Sequence, residues 1–480
     1  EVIRRFGTNE AQYTTADSAH FVVDANVEIE NAFYNWLLGF GTEAKILKPD
    51  WAAEMLCYLA SQQFEDGHPV HTAWPEDRKL PQDITRSDNH LWIIYLAYAI
   101  IAETGDMSIL DREIPYLAPD KINHTGSATL WEHLLRGIEF TENHLGEHGL
   151  PLILYSDWND HIGPFGRRGK GESVMVSEQL IYALRQLSEL ALMRGEDELA
   201  AKFKDRIKQQ EDALSKYAWD GDWYIRGLDD DSMPIGSHSA KHMNIWLNAQ
   251  SWMIISGAGD KKKNIHAMDS AREKLDTGLG LLLNAPGFPG WPAKESSMVN
   301  GLPAGFSENG GIFVQANCWA IMAEALLGRG DIAWQYYKQV MPHSVIKKMG
   351  IERYRSEAYA YCSTMLGIAN EKFGWGLVSQ VTGTAAWMDV VATQYILGIR
   401  PTLKGLLIDP SIPSEWDGYT VERIYRGHKL HINVKNPGHV CHGVKSVTVN
   451  GNPINITNGA YINEQAVAKC VNVQVTVIMG

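Results

Sequence analysis

The chain has 480 residues, of which 45% are hydrophobic and 21% charged, a composition typical of globular proteins. This length exceeds one ordinary core, so we expect a large domain with a smaller one, or a closed ring of helices with an appendage. A formal net charge of −14 argues against nucleic acid or an anionic membrane as the main partner. The 16 Trp and 19 Tyr suit carbohydrate binding, although a large helical domain buries most such rings in its core.

The cysteines and the apolar segments argue against a metal site, a disulfide framework and a membrane anchor. The five cysteines are scattered and show no C-x-x-C spacing. The sequence has no run of about 18 apolar residues and no charged-then-apolar start, so we predict neither a membrane span nor a signal peptide. It also lacks a dinucleotide-binding fingerprint. We expect a cytoplasmic protein without metal or organic cofactor, and the start at Glu1 rather than Met suggests a processed or partial polypeptide.

Most of the chain is predicted to be helical. Residues 1–30 resemble a linker, and Asn31–Leu38 has the pattern of an amphipathic helix. Helical periodicity then dominates up to about residue 400, and we take 31–400 as one helical domain. The best-defined predicted helices are His90–Glu103, Leu130–His144, Val174–Arg194, Leu199–Tyr217, Asn244–Ile255, Asn317–Leu327 and Ala385–Leu397.

Four of these helices end in a similar way, with glycine followed by aspartate. The pairs are Gly105-Asp106, Gly195 before Asp197, Gly259-Asp260 and Gly330-Asp331. Glycine closes a helix in the left-handed conformation, and aspartate then caps or begins the next one. The endings recur about every 60–90 residues, the length of a helical hairpin with its loops. Several hairpins can close into an α/α barrel, whose end is a natural cleft for catalytic residues on long loops.

One segment between two predicted helices concentrates chemical groups. Ser156-Asp157-Trp158-Asn159-Asp160 holds two carboxylates and an indole. A carboxyl held against an aromatic face in a cleft has a raised pKa and can act as a general acid. The indole is also a flat platform of the kind on which sugar rings stack. The alternative is a capping turn with a buried tryptophan, since Asp and Asn are common at helix starts.

After Gly398 the pattern changes from helix to strand. Turn residues occur at Asn436-Pro437-Gly438 and at 450–453, and β-branched residues alternate with polar ones between them. We therefore predict that residues 401–480 form a small antiparallel β domain. Its predicted strands are Val421–Tyr425, Leu430–Val434, Lys445–Val449 and Val471–Met479.

With these segments in order, the chain resembles glycoside hydrolase family 94, the cellobiose and chitobiose phosphorylases. The resemblance implies an inverting enzyme with an (α/α)6 barrel, a C-terminal β domain and usually an N-terminal β-sandwich, which we do not expect in this sequence. It rests on Leu150–Leu152, Asp157–Asp160, Gly171–Val174, Trp246–Ser251, Glu308–Phe313, Thr382–Trp387, Ile396–Pro401 and Ile408–Pro413.

The resemblance also suggests roles for particular residues. Asp160 matches the family's catalytic acid, and Trp158 matches the aromatic residue at the donor sugar. Thr382-Gly383, just before a predicted helix, matches the phosphate loop, where hydroxyl and backbone N–H groups bind an anion. The alternative there is an ordinary Thr cap. Asp157 and Glu308 are candidate substrate-binding residues, and each has a structural alternative.

Departures from the family pattern cluster at the expected site. Gln315 stands where the family has a phosphate-binding His, so an amide donor replaces a group that can carry positive charge. Ser363 replaces a Gln near the donor sugar. The segment 39–44 lacks the family's Arg-Asp donor loop. The acceptor-binding positions of cellobiose phosphorylase hold Met298, Leu302 and Ser307, so we expect a substrate other than cellobiose.

The sequence therefore predicts an inverting glycoside phosphorylase that cleaves a β-linked gluco-type disaccharide or oligosaccharide with inorganic phosphate. Its partners would be a small carbohydrate and phosphate, and the family suggests a homodimer. The first alternative is an inverting hydrolase or glycosyl-transferring relative, which needs a second carboxylate about 6.5–9.5 Å from the acid. Candidates for that carboxylate are Glu308, Asp157 and Glu357. The second alternative is a non-catalytic carbohydrate-binding homologue.

Overall fold

The computed structural model describes residues 49–71, 85–289, 302–379, 382–457, 459–467 and 470–480. The predicted linker 1–30 and the predicted helix Asn31–Leu38 lie outside these ranges. The α-helices in the described ranges are α1 Pro49–Ser61, α2 Asn89–Thr104, α3 Leu130–Glu142, α4 Val174–Met193, α5 Asp197–Tyr217, α6 Leu247–Ile255, α7 Lys261–Leu275, α8 Val314–Leu326, α9 Gly330–Val340, α10 Pro342–Met349, α11 Ile351–Tyr354, α12 Thr384–Val390 and α13 Glu464–Val467.

Short 3₁₀ and π segments and many strands complete the secondary structure. Ser108–Asp111 and Asp160–Gly166 are 3₁₀ helices, and Val391–Ile396 continues α12 as a π-helix. The strands of the described ranges are β1 Glu113–Leu117, β2 His124–Thr129, β3 Glu172–Ser173, β4 Gly227–Leu228, β5 Pro234–Ile235, β6 Ile245–Trp246, β7 Asn284–Ala285, β8 Ile312–Phe313, β9 Cys362–Met365, β10 Gly376–Ser379, β11 Ile399–Thr402, β12 Gly405–Ile408, β13 Gly418–Tyr425, β14 His428–Lys435, β15 Val444–Val449, β16 Asn452–Pro453, β17 Tyr461–Ile462 and β18 Asn472–Met479.

The long helices form two groups that differ in burial. In α6 all nine residues are buried, including the polar Asn248, Gln250 and Ser251. In α5, by contrast, Ala200, Phe203, Ile207 and Leu214 lie on one buried stripe, while acidic and basic residues cover the rest. Helices α2, α4, α6, α8 and α12 belong to the buried group, and α5 packs outside α4 as α9 packs outside α8.

The buried helices follow one another around a common aromatic centre. Helix α4 packs between α2 and α6, and α8 packs between α6 and α12. The indoles of Trp92, Trp252, Trp319 and Trp387 come from α2, α6, α8 and α12. Their ring centroids lie 5.3–6.4 Å apart, within the range of aromatic pairing. Much of the aromatic content is therefore core, and we call the buried helices α2, α4, α6, α8 and α12 that pack around this centre the helical ring.

The predicted glycine–aspartate helix endings are confirmed at Gly105, Gly195 and Gly259, whereas Gly330 begins α9 and Gly328 takes the left-handed conformation after α8. Gly105 adopts the left-handed conformation with φ 76° and its N–H bonds to Ile101 O, which closes α2. Gly195 has a similar φ of 75° between α4 and α5. The Asp260 carboxylate accepts the N–H groups of the first turn of α7. Because these signals are local, the sequence predicts the positions of these helix ends accurately.

The C-terminal residues form the predicted β region, with one difference. Strands β13, β14, β18, β15 and β16 form a five-stranded sheet in that order. The prediction of an entirely antiparallel domain is wrong for β14 and β18, which pair in parallel. The chain makes β15 and β16 before it returns to the middle of the sheet as β18, and a parallel pair needs such a long connection.

The β region packs against the end of α2. Arg423 forms an ion pair with Glu103 at 2.5 Å, and Tyr425 donates its hydroxyl to Ala102 O at 3.1 Å. Strands β11, β12 and β17 form a separate three-stranded sheet in that order. In the described ranges, no helix has the length and apolarity needed to cross a membrane.

Candidate active site

The segment Ser156–Asp160 lies across the N-terminal ends of the buried helices. Ser87, just before α2, donates its N–H to Ser156 O at 3.1 Å. Ser173, the cap of α4, donates its hydroxyl to Asp157 at 2.7 Å. Asn248, in the first turn of α6, donates to Asn159 Oδ1 at 3.0 Å. One segment thus joins three helix starts, which fixes its position relative to the ring.

Asp157 is completely buried, and protein groups take up both of its oxygens. Arg226, which is also fully buried, donates to both oxygens of this carboxylate at 2.6 Å and balances its charge. Oδ2 accepts the Ser173 hydroxyl, and Oδ1 accepts the Asn159 N–H at 2.8 Å. This environment differs from the predicted sugar contact, because the carboxylate has no exposed surface. We now expect Asp157 to hold the loop in place.

Arg226 was missed by the sequence analysis. Besides Asp157 it donates to Asn159 Oδ1 at 2.9 Å and to Ser173 Oγ at 3.0 Å. Its guanidinium lies 5.7 Å from the centroid of the Trp246 ring. A single arginine within the apolar run Trp223–Leu228 is a signal for a buried cation, since charges are rarely buried without a partner.

Asp160 begins the 3₁₀ helix Asp160–Gly166 and is 14% exposed. Its carboxylate forms a close ion pair with Arg86 Nη1, and the same nitrogen donates to Asp157 O at 3.0 Å. Arg86 itself is buried. A guanidinium from the segment that precedes α2 is thus the charge partner of this carboxyl, and the aromatic environment expected from the sequence stays a prediction.

Trp158 packs against the aromatic centre of the ring. Its ring lies 4.9 Å from Phe313 and 4.7 Å from Trp319, both at steep interplanar angles. The side chain is 4% exposed. The capping-turn alternative included a buried tryptophan, and the observed packing of Trp158 in the aromatic centre agrees with that. The sugar-platform role of the indole stays a prediction.

Glu308 supports the start of the Asp160 helix. Its two oxygens accept the N–H groups of Asp160 at 2.9 Å and His161 at 3.0 Å. The His161 ring also lies 3.2 Å from Oε2. Asn284 donates to Glu308 O at 2.7 Å and so fixes the backbone of Glu308. A carboxylate at a helix N-terminus is favourable because the first N–H groups there lack helical partners. Glu308 thus determines where Asp160 lies.

A further buried carboxyl, Asp88, lies beneath the same loop and was not predicted. It accepts the indole N–H of Trp92 at 2.9 Å. Burial raises the pKa of Asp88 to about 7, and the nearby negative charge of Asp157 adds to this effect. Such perturbed carboxyls often occur at functional sites, although structural networks produce them as well.

The predicted phosphate loop is compact and buried. The hydroxyls of Thr382 and Thr384 lie 2.7 Å apart, and Thr384 N–H donates to Thr382 Oγ1 at 3.2 Å. Gly383 lies between them in the right-handed helical region, immediately before α12. On the neighbouring helix α8, Gln315 is buried, and its Nε2 has no hydrogen-bond partner among the described residues. An unpaired buried amide donor is a natural anion contact.

The remaining sequence candidates have ordinary structural positions. Ser363 donates to Leu377 O at 3.2 Å between β9 and β10. Leu302 packs in a small apolar cluster with Trp246. Met298 and the segment 39–44 lie outside the described ranges. Glu357 is half-buried. Among the described residues, no cluster of three or more His, Cys, Asp or Glu side chains is arranged to hold a metal ion.

The chain is similar in sequence to a known family and to several characterised proteins. The catalytic-domain model of the Glycosyl hydrolase 94 superfamily matches residues 42–398. The chain belongs to this superfamily. It is 36% identical to N,N'-diacetylchitobiose phosphorylase of Vibrio proteolyticus, over 80% of this chain and 47% of that protein. It is 32% identical to solabiose phosphorylase of Paenibacillus borealis, over 85% of this chain and 51% of that protein.

The chain spans about half the length of the relatives it matches. It is also similar to solved structures at low sequence identity. A GH63 mannosylglycerate hydrolase from Thermus thermophilus, in complex with glucose, superposes with a TM-score of 0.51 at 13% identity. That match covers 75% of this chain and 92% of the other. An uncharacterized conserved protein from the same organism gives a TM-score of 0.53, also at 13% identity. These likenesses concern the fold.

Proposed function

We propose that the protein is an inverting glycoside phosphorylase. It cleaves a β-linked gluco-type disaccharide or oligosaccharide with inorganic phosphate and releases a sugar 1-phosphate. The relatives named as phosphorylases support this assignment. The observation that carries it is the difference between the hydrogen-bond partners of the three carboxylates at this site. Asp157 and Glu308 are saturated by protein donors, whereas Asp160 stands at the edge of the site with a side-chain cation as its neighbour.

A phosphorylase needs a single protonated carboxyl. Asp160 donates its proton to the glycosidic oxygen as the bond to the anomeric carbon breaks. A phosphate oxygen attacks that carbon from the opposite face, so the configuration inverts. Because phosphate is already an anion, no second carboxylate has to activate it. Asp160 regains a proton from solvent after the products leave. In this scheme the bound sugar takes the place of Arg86 beside the Asp160 carboxyl.

Phosphate is proposed to bind at Thr382, Gly383 and Gln315. Two hydroxyls and the first N–H groups of α12 offer donors at one place. The unpaired Nε2 of Gln315 supplies a further donor from α8. A neutral amide attracts a dianion less strongly than a protonated histidine, so we expect weak phosphate binding.

The other candidate residues receive distinct roles. Trp158 supports the donor sugar through its packing on Phe313 and Trp319. Asp157 and Glu308, predicted as substrate ligands, are proposed to position the loop and Asp160 instead. This revision follows from their partners, which are buried protein donors rather than open space.

The hydrolase alternative finds less support. It requires a carboxylate that is able to deprotonate water on the far side of the sugar. Asp157 is paired with Arg226, and Glu308 accepts two backbone N–H groups. A carboxylate engaged in this way is a poor base, because its lone pairs already accept hydrogen bonds.

The wider organisation is part of the same proposal. The described hairpins and the superfamily match support an (α/α)6 barrel over residues 31–400, with a β domain over 401–480. Strand β11 crosses this boundary and packs on α2, so the two parts share an interface. A homodimer and a cytoplasmic location remain predictions from the sequence.

The assay that tests the function compares phosphate with water. Chitobiose, cellobiose and laminaribiose are incubated with the protein in phosphate buffer and in phosphate-free buffer, and ³¹P NMR follows sugar 1-phosphate. We expect an α-configured sugar 1-phosphate from at least one β-linked disaccharide, and no free-sugar release without phosphate. Equal sugar release in both buffers would show a hydrolase. No turnover of a broad panel of β-linked disaccharides would favour the non-catalytic alternative.

A further inference from the structure

A cavity lies in the helical ring on the side of the aromatic centre away from Asp160. Its volume is about 340 Å³. Its walls come from the middle and C-terminal parts of the same buried helices whose N-terminal ends carry the loop Ser156–Asp160, and from β11. The aromatic centre of the ring forms part of the wall through Trp252, Trp319 and Trp387.

The wall contains buried polar atoms that lack a partner among the described residues. Gln186 on α4 and Gln394 on the π-helical segment are both 7% exposed. Gln186 Oε1 and Gln394 Nε2 make no hydrogen bond, and neither do the indole nitrogens of Trp252, Trp319 and Trp387. Buried polar groups are normally paired, because an unpaired group loses its hydration without compensation. Four donors and one acceptor around one cavity therefore indicate an occupant that forms hydrogen bonds.

The charged side chains of the wall indicate that this occupant is neutral. Arg400 pairs with Asp409 at 3.3 Å, and Arg185 pairs with Glu211 at 2.8 Å. Both cations thus have carboxylate partners within the protein. Glu189 accepts the Tyr98 hydroxyl at 2.6 Å. A ligand with its own charge would have to compete with these contacts, whereas hydroxyl groups can add to them.

The aromatic side chains give the cavity flat apolar faces. Tyr95 and Trp252 stack with their centroids 6.2 Å apart, and Tyr182 meets Tyr95 edge-on at 5.0 Å. Flat rings with amide and indole donors at their edges are suited to molecules that have apolar faces and hydroxyl-bearing edges. The volume lies near the lower end of small-molecule sites, at about 300 Å³.

We propose that this cavity binds a neutral monosaccharide. The ring of the sugar lies against the aromatic wall, and its hydroxyls accept from Gln394 Nε2 and the indole N–H groups and donate to Gln186 Oε1. This site is distinct from the proposed phosphorolysis site, because Gln186 and Gln394 lie in the C-terminal halves of their helical segments. Trp319 is shared, since it lines the cavity and also packs against Trp158. The cavity can bind a sugar whether or not Asp160 is a catalytic acid.

The test uses crystals of the full chain soaked with glucose and, separately, with N-acetylglucosamine, together with calorimetric titration of the same sugars. We expect sugar density in the cavity within hydrogen-bond distance of Gln186 and Gln394. Gln394→Met and Gln186→Met should weaken this binding at least about tenfold, the loss expected for one or two hydrogen bonds. They should leave the turnover of disaccharides unchanged.

A matched control separates ligand binding from the effect of changing a buried glutamine. Gln179 lies on α4 as Gln186 does, is fully buried, and has an unpaired side-chain amide in the described structure, but it does not line the cavity. Gln179→Met should leave the titration unchanged. The proposal is overturned if sugar binds only beside Asp160, if the cavity holds only water at saturating sugar, or if other side chains of the chain fill it.

Discussion

The two ends of the helical ring differ in what holds their buried polar groups. At the N-terminal end, the buried ion pair of Asp157 and Arg226 is joined by hydrogen bonds to Ser173 and to the side-chain oxygen of Asn159, although Asn159 Nδ2 and Gln315 Nε2 lack partners in the described structure. At the C-terminal end, the amides and indoles around the cavity have no such ion pair at their centre, and several of their polar atoms are without partners in the described structure. The first pattern fixes a loop in one geometry, and the second leaves hydrogen-bonding capacity for an occupant.

This difference separates positioning from binding. A catalytic carboxyl must be held within a fraction of an ångström of its working position, which requires supporting residues that have no other task. A ligand-binding wall must keep its donors and acceptors available. The same buried helices supply both, because loops at one end of each helix and side chains near its other end can vary independently.

The largest expected effect is on turnover at the positioned end. Replacing Asp160 by Asn removes the proton donor and should lower kcat by about 10²–10⁴-fold. A substrate with an acidic leaving group, such as a nitrophenyl glycoside, needs no protonation and should lose much less. Steady-state kinetics with both substrates check this. Equal losses on both substrates would contradict a general-acid role and point to loss of the Arg86 contact instead.

The next effect is on stability. Arg226→Met leaves the buried Asp157 carboxylate without its charge partner, and should lower the free energy of unfolding by about 3–5 kcal/mol. The matched control is Arg168→Met, because Arg168 is 58% exposed and pairs with Asp231 at the surface. That change should cost far less, because solvent screens the exposed pair. Urea unfolding measures both, and equal costs would show that the network does not hold the loop.

Glu308→Gln tests whether Glu308 positions Asp160 without taking part in the reaction itself. Gln keeps one oxygen acceptor, so one of the N–H groups of Asp160 and His161 loses its partner. We expect a loss of about 1–3 kcal/mol in unfolding free energy and a fall in kcat of up to about 10²-fold with little change in KM.

Asp230 gives the comparison for Glu308, since its carboxylate accepts the N–H groups of Arg168, Lys170 and Gly171 in a neighbouring loop. Asp230→Asn should destabilise the protein while leaving kcat unchanged. If both variants lowered kcat equally, Glu308 would have no special part in placing Asp160.

The last effect concerns pH. The pKa of Asp88 rises to about 7 in the folded state from about 3.9 in the unfolded chain, so the folded protein binds an additional proton between these values. The stability contributed by this group is fully present below about pH 4 and is lost as the pH rises through 7.

Asp88→Asn retains an acceptor for the Trp92 indole but no longer titrates. It should flatten the decline in unfolding free energy between about pH 5 and 7 by up to about 1.4 kcal/mol per unit. Asp106→Asn, at an exposed position, should leave that slope unchanged. If the unfolding free energy of Asp88→Asn declined with pH as steeply as that of the unchanged protein, the raised pKa could not be assigned to Asp88.

Local sequence signals predicted most of the fold. The predicted helix Val174–Arg194 ends within one residue of the observed α4, because its cap and closing glycine are local features. The parallel pairing of β14 with β18 was missed, since neighbouring strands in sequence suggest hairpins and carry little information on long-range order. Segment patterns predict elements better than they predict their partners.

The candidate site was predicted less completely. Asp157, Asp160 and Glu308 do lie at one place, as the family resemblance suggested. The cations that accompany them, Arg86 and Arg226, come from segments about 70 residues away in the chain. Such partners follow from the tertiary fold. In the sequence, only Arg226, as an isolated arginine in an apolar run, indicated one of them.

The most direct test of the account is a crystal structure with phosphate and a non-hydrolysable disaccharide analogue. We predict a phosphate that accepts hydrogen bonds from Thr382, the N–H groups at the start of α12 and Gln315, with the Asp160 carboxyl on the opposite face of the sugar and no longer paired with Arg86. Phosphate bound at Arg86, or a sugar that leaves the Arg86–Asp160 pair intact, would contradict the account.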